Sequence, residues 1–189
     1  METLPTVLTD LAWVAGCLFV ADLLTGLMHW AEDTWLAPGR SEFLDRYIVR
    51  DNIEHHRRPG SIRAGTYWET NRVTIVLSAI AVAGCAIGHV VAWQPYLMML
   101  LLSHSNQVHK WAHSSNVPAV VRWMQSFGLL QSPAQHARHH KNPYATNYCA
   151  ITNFVNPALD ASGFWRGLEW TIERFGLRVV RATEVRGGY

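Results

Sequence analysis

The sequence predicts an all-α integral membrane protein of one domain, residues 1–189. Three observations lead to this prediction: a high apolar content, three long apolar runs, and basic residues confined to two stretches of the chain. The chain is 49% hydrophobic and only 16% charged, whereas a soluble domain usually carries about 25% charged residues. The length is typical of a single domain.

Three apolar runs predict membrane spans. The first covers about residues 11–30, where Asp22 is the only charged residue, and the second covers about 73–91. The third covers about 95–113 and begins at Pro95, which suits the first turn of a helix. At about 1.5 Å per residue, each run approaches the roughly 30 Å of a bilayer's hydrocarbon core.

The basic residues predict how these spans are oriented. None of the 16 Lys and Arg residues falls in 1–39 or 73–109. Because basic residues are enriched on the cytoplasmic side of membrane helices, the N-terminus and the hairpin at 92–95 are expected outside. The C-terminus is then cytoplasmic, and residues 114–189 are expected to form a cytoplasmic cap that includes interfacial helices.

Composition argues against two classes of protein. The formal net charge of +2 is too small to indicate nucleic-acid binding. Cys17, Cys85 and Cys149 are far apart and form no Cys-x-x-Cys pair. This argues against a disulfide framework, a zinc ribbon or an iron–sulfur cluster.

Eight of the ten histidines fall at or beyond the cytoplasmic ends of the predicted spans. Spacings of three and four residues within their clusters put imidazoles on one helical face. The eight are His29, His55, His56, His109, His113, His136, His139 and His140. His89 lies at the outer end of the second span, and His104 lies about 140° around the third helix from His109. Those two are therefore expected outside the site.

The eight histidines predict a site for two metal ions. Neutral imidazole is a ligand for iron, zinc, copper or nickel, and eight imidazoles exceed what one ion of four to six ligands needs. Candidates for holding the ligands or the substrate are Asp22, Asp33, Glu54, Glu69, Asn71 and Asn106. Asp22 is a functional candidate because a carboxylate inside a span is costly.

Five stretches of sequence resemble a known family. They read GLMHW at 26–30, EHH at 54–56, ETN at 69–71, NQVHKWAH at 106–113 and QHARHH at 135–140. In combination they resemble the plasmanylethanolamine desaturase or CarF-type lipid desaturases, which are related to the plant phosphatidylglycerol trans-3 acyl desaturase. The resemblance covers about residues 20–170.

The resemblance implies a di-iron membrane desaturase that uses O₂ and an external electron donor, such as a cytochrome b5 or ferredoxin system. It implies that the same eight histidines are the metal ligands and catalytic residues. The expected reaction forms the vinyl ether bond of plasmalogens from plasmanylethanolamine. Four basic residues are candidates to meet the headgroup phosphate: Arg57, Arg58, Lys110 and Arg138.

One histidine cluster differs from the usual pattern of membrane desaturases. The boxes of broader membrane desaturases often read HxxHH, but Asn52 stands three residues before His55. Asn52, Glu54 or Asp33 is therefore a candidate to complete the coordination. An acyl-lipid desaturase or hydroxylase of the same family is an alternative function. A zinc-dependent membrane hydrolase is a further alternative, because zinc also accepts imidazole ligands.

Overall fold

Ten α-helices form the fold within the described part of the computed structural model, which comprises residues 4–36, 38–39 and 41–179. They are α1 (Leu4–Thr34), α2 (Glu42–Leu44), α3 (Arg50–Arg57), α4 (Tyr67–Ile87), α5 (Gln94–Ser103), α6 (Ser105–Ala112), α7 (Ala119–Ser126), α8 (Pro133–His139), α9 (Val155–Ser162) and α10 (Phe164–Arg174). A π-helical turn (Asp45–Val49) precedes α3, and a 3₁₀ turn (Pro59–Arg63) follows it. These described residues contain no β-strand, which confirms the all-α prediction.

The first apolar run forms a helix that is longer than predicted. α1 has 31 residues and extends beyond 11–30 at both ends. The reason is that charged residues such as Glu32 and Asp33 end an apolar run without ending a helix. The extra C-terminal turn carries the functional candidate Asp33 into the protein interior, where it is buried.

The second apolar run forms a helix that begins and ends earlier than predicted. α4 begins at Tyr67 because Thr66 and Glu69 form a capping box, in which each side chain accepts a hydrogen bond from the other residue's backbone N–H. It ends at Ile87, and His89 then adopts a left-handed φ of 53° as the chain turns. This T-x-x-E signature was readable in the sequence.

Within the described part of the chain, two helices are long and apolar enough to cross a membrane. They are α1 and α4. Only 28% and 11% of the residues in their most apolar 18-residue windows are buried within the protein. The core helix of a soluble protein would be mostly buried. These helices therefore support a membrane protein.

The third predicted span is two short helices rather than one long helix. α5 has 10 residues and α6 has 8, and the helix is interrupted at His104. At this point the Ser103 hydroxyl donates to Leu100 O at 2.8 Å, a side-chain bond that competes with regular helical bonding. A count of three spans is therefore not confirmed. α5 still packs against both α1 and α4, and Thr74 of α4 donates to Ser103 O at 3.0 Å.

The C-terminal half packs onto the end of α1. A buried cluster unites Trp30 of α1 with Tyr148, Cys149, Val155 and Trp165. The approach is close at one glycine of α1, where a Cβ would lie 2.6 Å from Cys149 Sγ. Segment 146–152 lies directly against the backbone of α1 at Gly26, which leaves no room for a side chain there.

Candidate metal centre

The eight predicted histidines converge on one region of the structure. Their ring nitrogens, with one carboxylate, form two groups of ligand atoms that all lie within 4.8 Å of one another inside each group. The five-histidine group contains His55, His109, His113, His136 and His140, and the carboxylate group contains His29, Asp33, His56 and His139. The groups adjoin, since the ring centroids of His29 and His109 are 5.6 Å apart.

The ends of four helices supply these side chains. α3, α6 and α8 contribute histidines from their C-terminal turns or C-caps, and α1 contributes Asp33 from its last turn and His29 from the turn before it. Unpaired carbonyl groups give a helix C-terminus a partial negative charge, which favours a cation nearby. The arrangement of the helices therefore suits a cationic occupant before any ligand atom is considered.

Four ring nitrogens of the five-histidine group form a chain of contacts that hydrogen bonds cannot satisfy. His109 Nε2 lies 3.1 Å from His55 Nε2 and 2.9 Å from His136 Nε2. His136 Nε2 also lies 3.0 Å from His140 Nε2. An imidazole nitrogen offers one N–H or one lone pair, so it can bond to only one of two such neighbours. Two nitrogens bound to one ion at about 2.1 Å and at right angles would lie about 3.0 Å apart, as observed here.

Asp33 stands at the centre of the carboxylate group. Its Oδ1 lies 2.9 Å from His56 Nε2, and its Oδ2 lies 3.4 Å from His139 Nε2 and 3.9 Å from His29 Nε2. Asn52 lies behind the carboxylate and donates to Oδ1 at 2.9 Å. Asp33 Oδ2 is buried with no hydrogen-bond partner among the described residues. A donor set of imidazoles and one carboxylate with an unused oxygen fits iron.

Two histidines of the carboxylate group are oriented by backbone carbonyls. His29 Nδ1 contacts Tyr148 O at 3.1 Å, and His139 Nδ1 contacts Thr146 O at 2.9 Å. A carbonyl accepts from Nδ1–H and leaves Nε2 as the nitrogen with a lone pair. In both residues Nε2 is the atom that approaches Asp33.

Asp22 fixes the segment that carries these carbonyls. Its carboxylate accepts hydrogen bonds from Ile151 N at 2.7 Å, Thr152 N at 3.0 Å and Thr152 Oγ1 at 2.6 Å. Asn156 donates to Cys149 O at 2.8 Å from the other side. Asp22 therefore acts on the backbone that orients His29, one step further from the histidines than the sequence analysis placed it.

Burial lowers the pKa values of several of these imidazoles and favours their uncharged form. Burial and, to a smaller extent, the proximity of His113 together lower the pKa of His140 to about 3. Burial likewise holds the pKa values of His55, His136 and His139 well below the ordinary histidine value. Neutral imidazole is the form that binds metal, so the site is prepared for ions at neutral pH.

The remaining candidate residues make contacts away from the histidines. Glu54 pairs with Arg58 at 3.4 Å, and Glu69 caps α4. Asn71 Nδ2 donates to Tyr67 O at 2.8 Å, and Asn106 Nδ2 donates to Thr70 O at 3.1 Å, so that both stay close to α4. Among the basic candidates, Lys110 donates to Gly65 O, while Arg57, Arg58 and Arg138 are exposed.

His89 and His104 belong to neither group of ligand atoms found among the described residues. The exposed His104 ring contacts Ser103 Oγ at 2.8 Å, and its centroid lies 6.1 Å from that of Tyr67. The rotation predicted from the helical repeat therefore agrees with the side chain's position, although the helix is broken there.

A cavity of about 700 Å³ leads to the metal-site histidines. His29, His55 and His109, which are all buried, are part of its lining. Its apolar wall comes from α1, α4 and α5, and includes Met28 and Leu77, which are 44% and 51% exposed. The cavity therefore opens between α1 and α4, on surfaces that a bilayer would cover.

Comparison with known proteins identifies the family. A family model described as the lipid desaturase domain matches residues 18–182. The chain is 29% identical to plasmanylethanolamine desaturase 1 of Mus musculus, over 96% of this chain and 71% of that protein. It is 30% identical to plasmanylethanolamine desaturase of Myxococcus xanthus, over 89% of this chain and 66% of the relative. It is 31% identical to the chloroplastic fatty acid desaturase 4-like 1 of Arabidopsis thaliana, over 89% of this chain and 58% of that protein.

No solved structure matches the chain. The family match nevertheless covers most of the sequence, including all eight clustered histidines. The chain therefore belongs to the lipid desaturase family and is an oxidoreductase enzyme.

Proposed function

We propose that this chain is a di-iron, O₂-dependent membrane desaturase that forms the vinyl ether bond of plasmalogens from plasmanylethanolamine. The printed names of the mouse and Myxococcus relatives support this substrate. The observation that carries the proposal is the pair of adjoining ligand groups, because eight imidazoles and Asp33 supply enough donor atoms for two ions. The eight histidines act as ligands in this proposal.

The chemistry needs a metal–oxygen oxidant, because no side chain can remove hydrogen from an unactivated C–H bond. Iron with O₂, two electrons and two protons would remove two hydrogen atoms from adjacent carbons, leaving a double bond and two waters. The protein's part is to hold the lipid chain beside His29, His55 and His109 in the lining of the cavity. The apolar wall at Met28 and Leu77 admits the chain from the bilayer and excludes water.

Orientation in the membrane belongs to the same proposal. The N-terminus and the turn at 92–95 lie outside, and the metal centre and the C-terminus lie on the cytoplasmic side. An external electron donor then reaches the centre from the cytoplasm, where His113 and His140 are half-buried. Tags at the N-terminus, at the turn and at the C-terminus test this arrangement by accessibility to impermeant reagents. A C-terminus mapped outside would overturn it.

A second candidate function is desaturation or hydroxylation of an acyl chain. It is favoured by the identity to the Arabidopsis fatty acid desaturase 4-like proteins, which is 31% and 29%. The two candidates share the metal centre and differ in whether the chain is joined by an ether or an ester bond. Product analysis separates them.

The test combines metal analysis of purified protein with lipid analysis of an expressing host. About two irons per chain and new vinyl ether lipids are expected. An ester-linked unsaturated or hydroxylated product would favour the second candidate. Stoichiometric zinc alone in an active protein would overturn the redox assignment, since zinc does no redox chemistry.

A further inference from the structure

The rim of the cavity carries opposite charges close to the metal centre. Tyr47, Asp51 and Arg72 all line it. The Arg72 guanidinium lies over the Tyr47 ring, 5.5 Å from its centroid, which is a cation–π geometry. Within the described residues, Arg72 takes part in no ion pair shorter than 4.0 Å. The stacking thus positions the guanidinium and leaves its N–H groups available to a ligand.

Asp51 is an exposed carboxylate of the cavity lining that takes part in no ion pair shorter than 4.0 Å within the described residues. Partial burial raises the pKa of its carboxyl group, and the nearby charge of Arg72 opposes that shift. Three other carboxylates line the cavity: Glu54 pairs with an arginine at 3.4 Å, Glu69 caps α4, and Glu32 lies on α1 next to the ligand Asp33. One cation and one carboxylate therefore stand as neighbours at the rim without forming an ion pair in the described structure.

We propose that Arg72 and Asp51 form a subsite for a zwitterionic phospholipid headgroup, in which Arg72 binds the phosphate and Asp51 binds a primary ammonium group. The assignment rests on the proposed function, because it requires a phospholipid in the cavity. Arginine binds phosphate through paired N–H donors, and an ammonium group offers three N–H donors to a carboxylate. A trimethylammonium headgroup has no N–H donor, and a phosphoglycerol headgroup has no cation.

The position of the subsite determines which part of the chain is nearest the metal centre. Asp51 lies four residues before His55 on α3, about 6 Å along the helix axis. A headgroup at Asp51 and Arg72 therefore places the glycerol end of the chain beside the histidines. The rest of the chain follows the apolar wall past Leu77 and Met99.

This site replaces the headgroup site expected from the sequence. The four basic residues expected there do not line the cavity in the described structure: Arg57, Arg58, Lys110 and Arg138. Lys110 is already bonded to Gly65 O. Basic character alone indicated the cytoplasmic loops, whereas a zwitterionic headgroup needs a carboxylate as well as a cation.

The experiment measures binding of three ether phospholipids with identical chains to the purified full-length protein by native mass spectrometry. Their headgroups are phosphoethanolamine, phosphocholine and phosphoglycerol. The unmodified protein is expected to prefer phosphoethanolamine. Asp51→Asn should reduce this preference about tenfold, because it removes a hydrogen bond between charged groups. Arg72→Gln should weaken binding of all three lipids about equally.

The controls are Asp10→Asn and Arg122→Gln, which remove exposed charges outside the cavity lining and should change neither result. Arg57→Gln tests the rival loop site, and a loss of binding in that variant alone would overturn the proposal. So would an unchanged headgroup preference in Asp51→Asn, or tighter binding of soluble phosphoethanolamine than of the lipid. Because binding is read without turnover, loss of the desaturation activity would contradict the proposed function while leaving this subsite standing.

Discussion

The five-histidine group and the carboxylate group differ in charge and in what orients their side chains. The carboxylate group has Asp33 at its centre, is buried throughout, and has two imidazoles held by the carbonyls of segment 146–152. In the five-histidine group, the Nδ1 atoms of His55, His136 and His140 are buried without a hydrogen-bond partner among the described residues. Backbone carbonyls therefore orient two imidazoles of the carboxylate group, whereas those three Nδ1 atoms of the five-histidine group, like that of His56, have no such partner among the described residues.

The largest effect is expected from a ligand of the five-histidine group. His109→Ala should lower desaturation about 100-fold or more, because His109 Nε2 contacts two other ligand nitrogens of the group. His104→Ala, five residues earlier and exposed, should retain most of the activity. Product formation in membranes of an expressing host measures both. Loss of activity in His104→Ala with normal activity in His109→Ala would reverse the assignment of the helical faces.

Replacing the carboxylate of Asp33 should show whether the two groups bind metal independently. Asp33→Asn removes the only negative charge among the grouped ligands, and affinity for one ion should fall roughly 100-fold. Iron content is then expected to fall from about two to about one per chain. Asp10→Asn on the same helix is the matched control. If both ions were lost together, the groups would not bind metal independently.

Loosening segment 146–152 should disturb the orientation of the histidines in the carboxylate group. Asp22→Asn leaves one acceptor oxygen where the carboxylate now accepts three hydrogen bonds from this segment. Activity is expected to fall about tenfold, because the carbonyl that orients His29 is no longer fixed. Most of the iron should remain bound. Normal activity in this variant would show that the ion alone orients His29.

Close packing of α1 against this segment predicts an effect on stability. Gly26→Ala places a Cβ 2.6 Å from Cys149 Sγ and 3.2 Å from Cys149 N, and such overpacking costs about 1–3 kcal/mol. Gly16→Ala is the control on the same helix, since nothing lies within 4 Å of its Cβ. Thermal unfolding in detergent should show a lower midpoint for Gly26→Ala only. Equal midpoints would mean that segment 146–152 moves away at little cost.

The smallest effect concerns the thiol in this segment. Burial raises the pKa of Cys149, and the neighbouring carboxylate of Asp22 raises it further. A thiol that stays protonated is unreactive. N-ethylmaleimide should label Cys149 in the unfolded protein but not in the folded protein, as measured by mass spectrometry of peptides. Rapid labelling in the folded state would show that segment 146–152 opens readily.

The histidine set was predictable because it depends on local features. Helical spacing and position relative to apolar runs suffice to group His109 with His113 and His136 with His140. The division into two groups was not predictable, because it depends on how α8 docks against α1 and α3. Asp22 shows the same limit: its backbone partners at Ile151 and Thr152 lie 129 and 130 residues away in the chain.

The start of α4 has a local sequence signal that hydropathy does not register. The capping box at Thr66 and Glu69 marks the start of α4, yet hydropathy alone placed that start six residues later. The break at His104 has no such capping signal, although it falls where the apolar run gives way to the polar residues 103–107. Arg72 and Asp51 were missed because their neighbourhood exists only after α3 and α4 pack together.

Orientation of His139 by a main-chain oxygen has a consequence for mutational tolerance. The side chain of Thr146 is exposed, while its carbonyl holds the imidazole. Substitutions at this position therefore leave the contact intact, provided that the backbone keeps its path. The residues that define this path, Asp22 and Asn156, cannot vary so freely. Sequence drift should thus be fast at Thr146 and slow at distant anchor positions, so that variability here is a poor guide to functional importance.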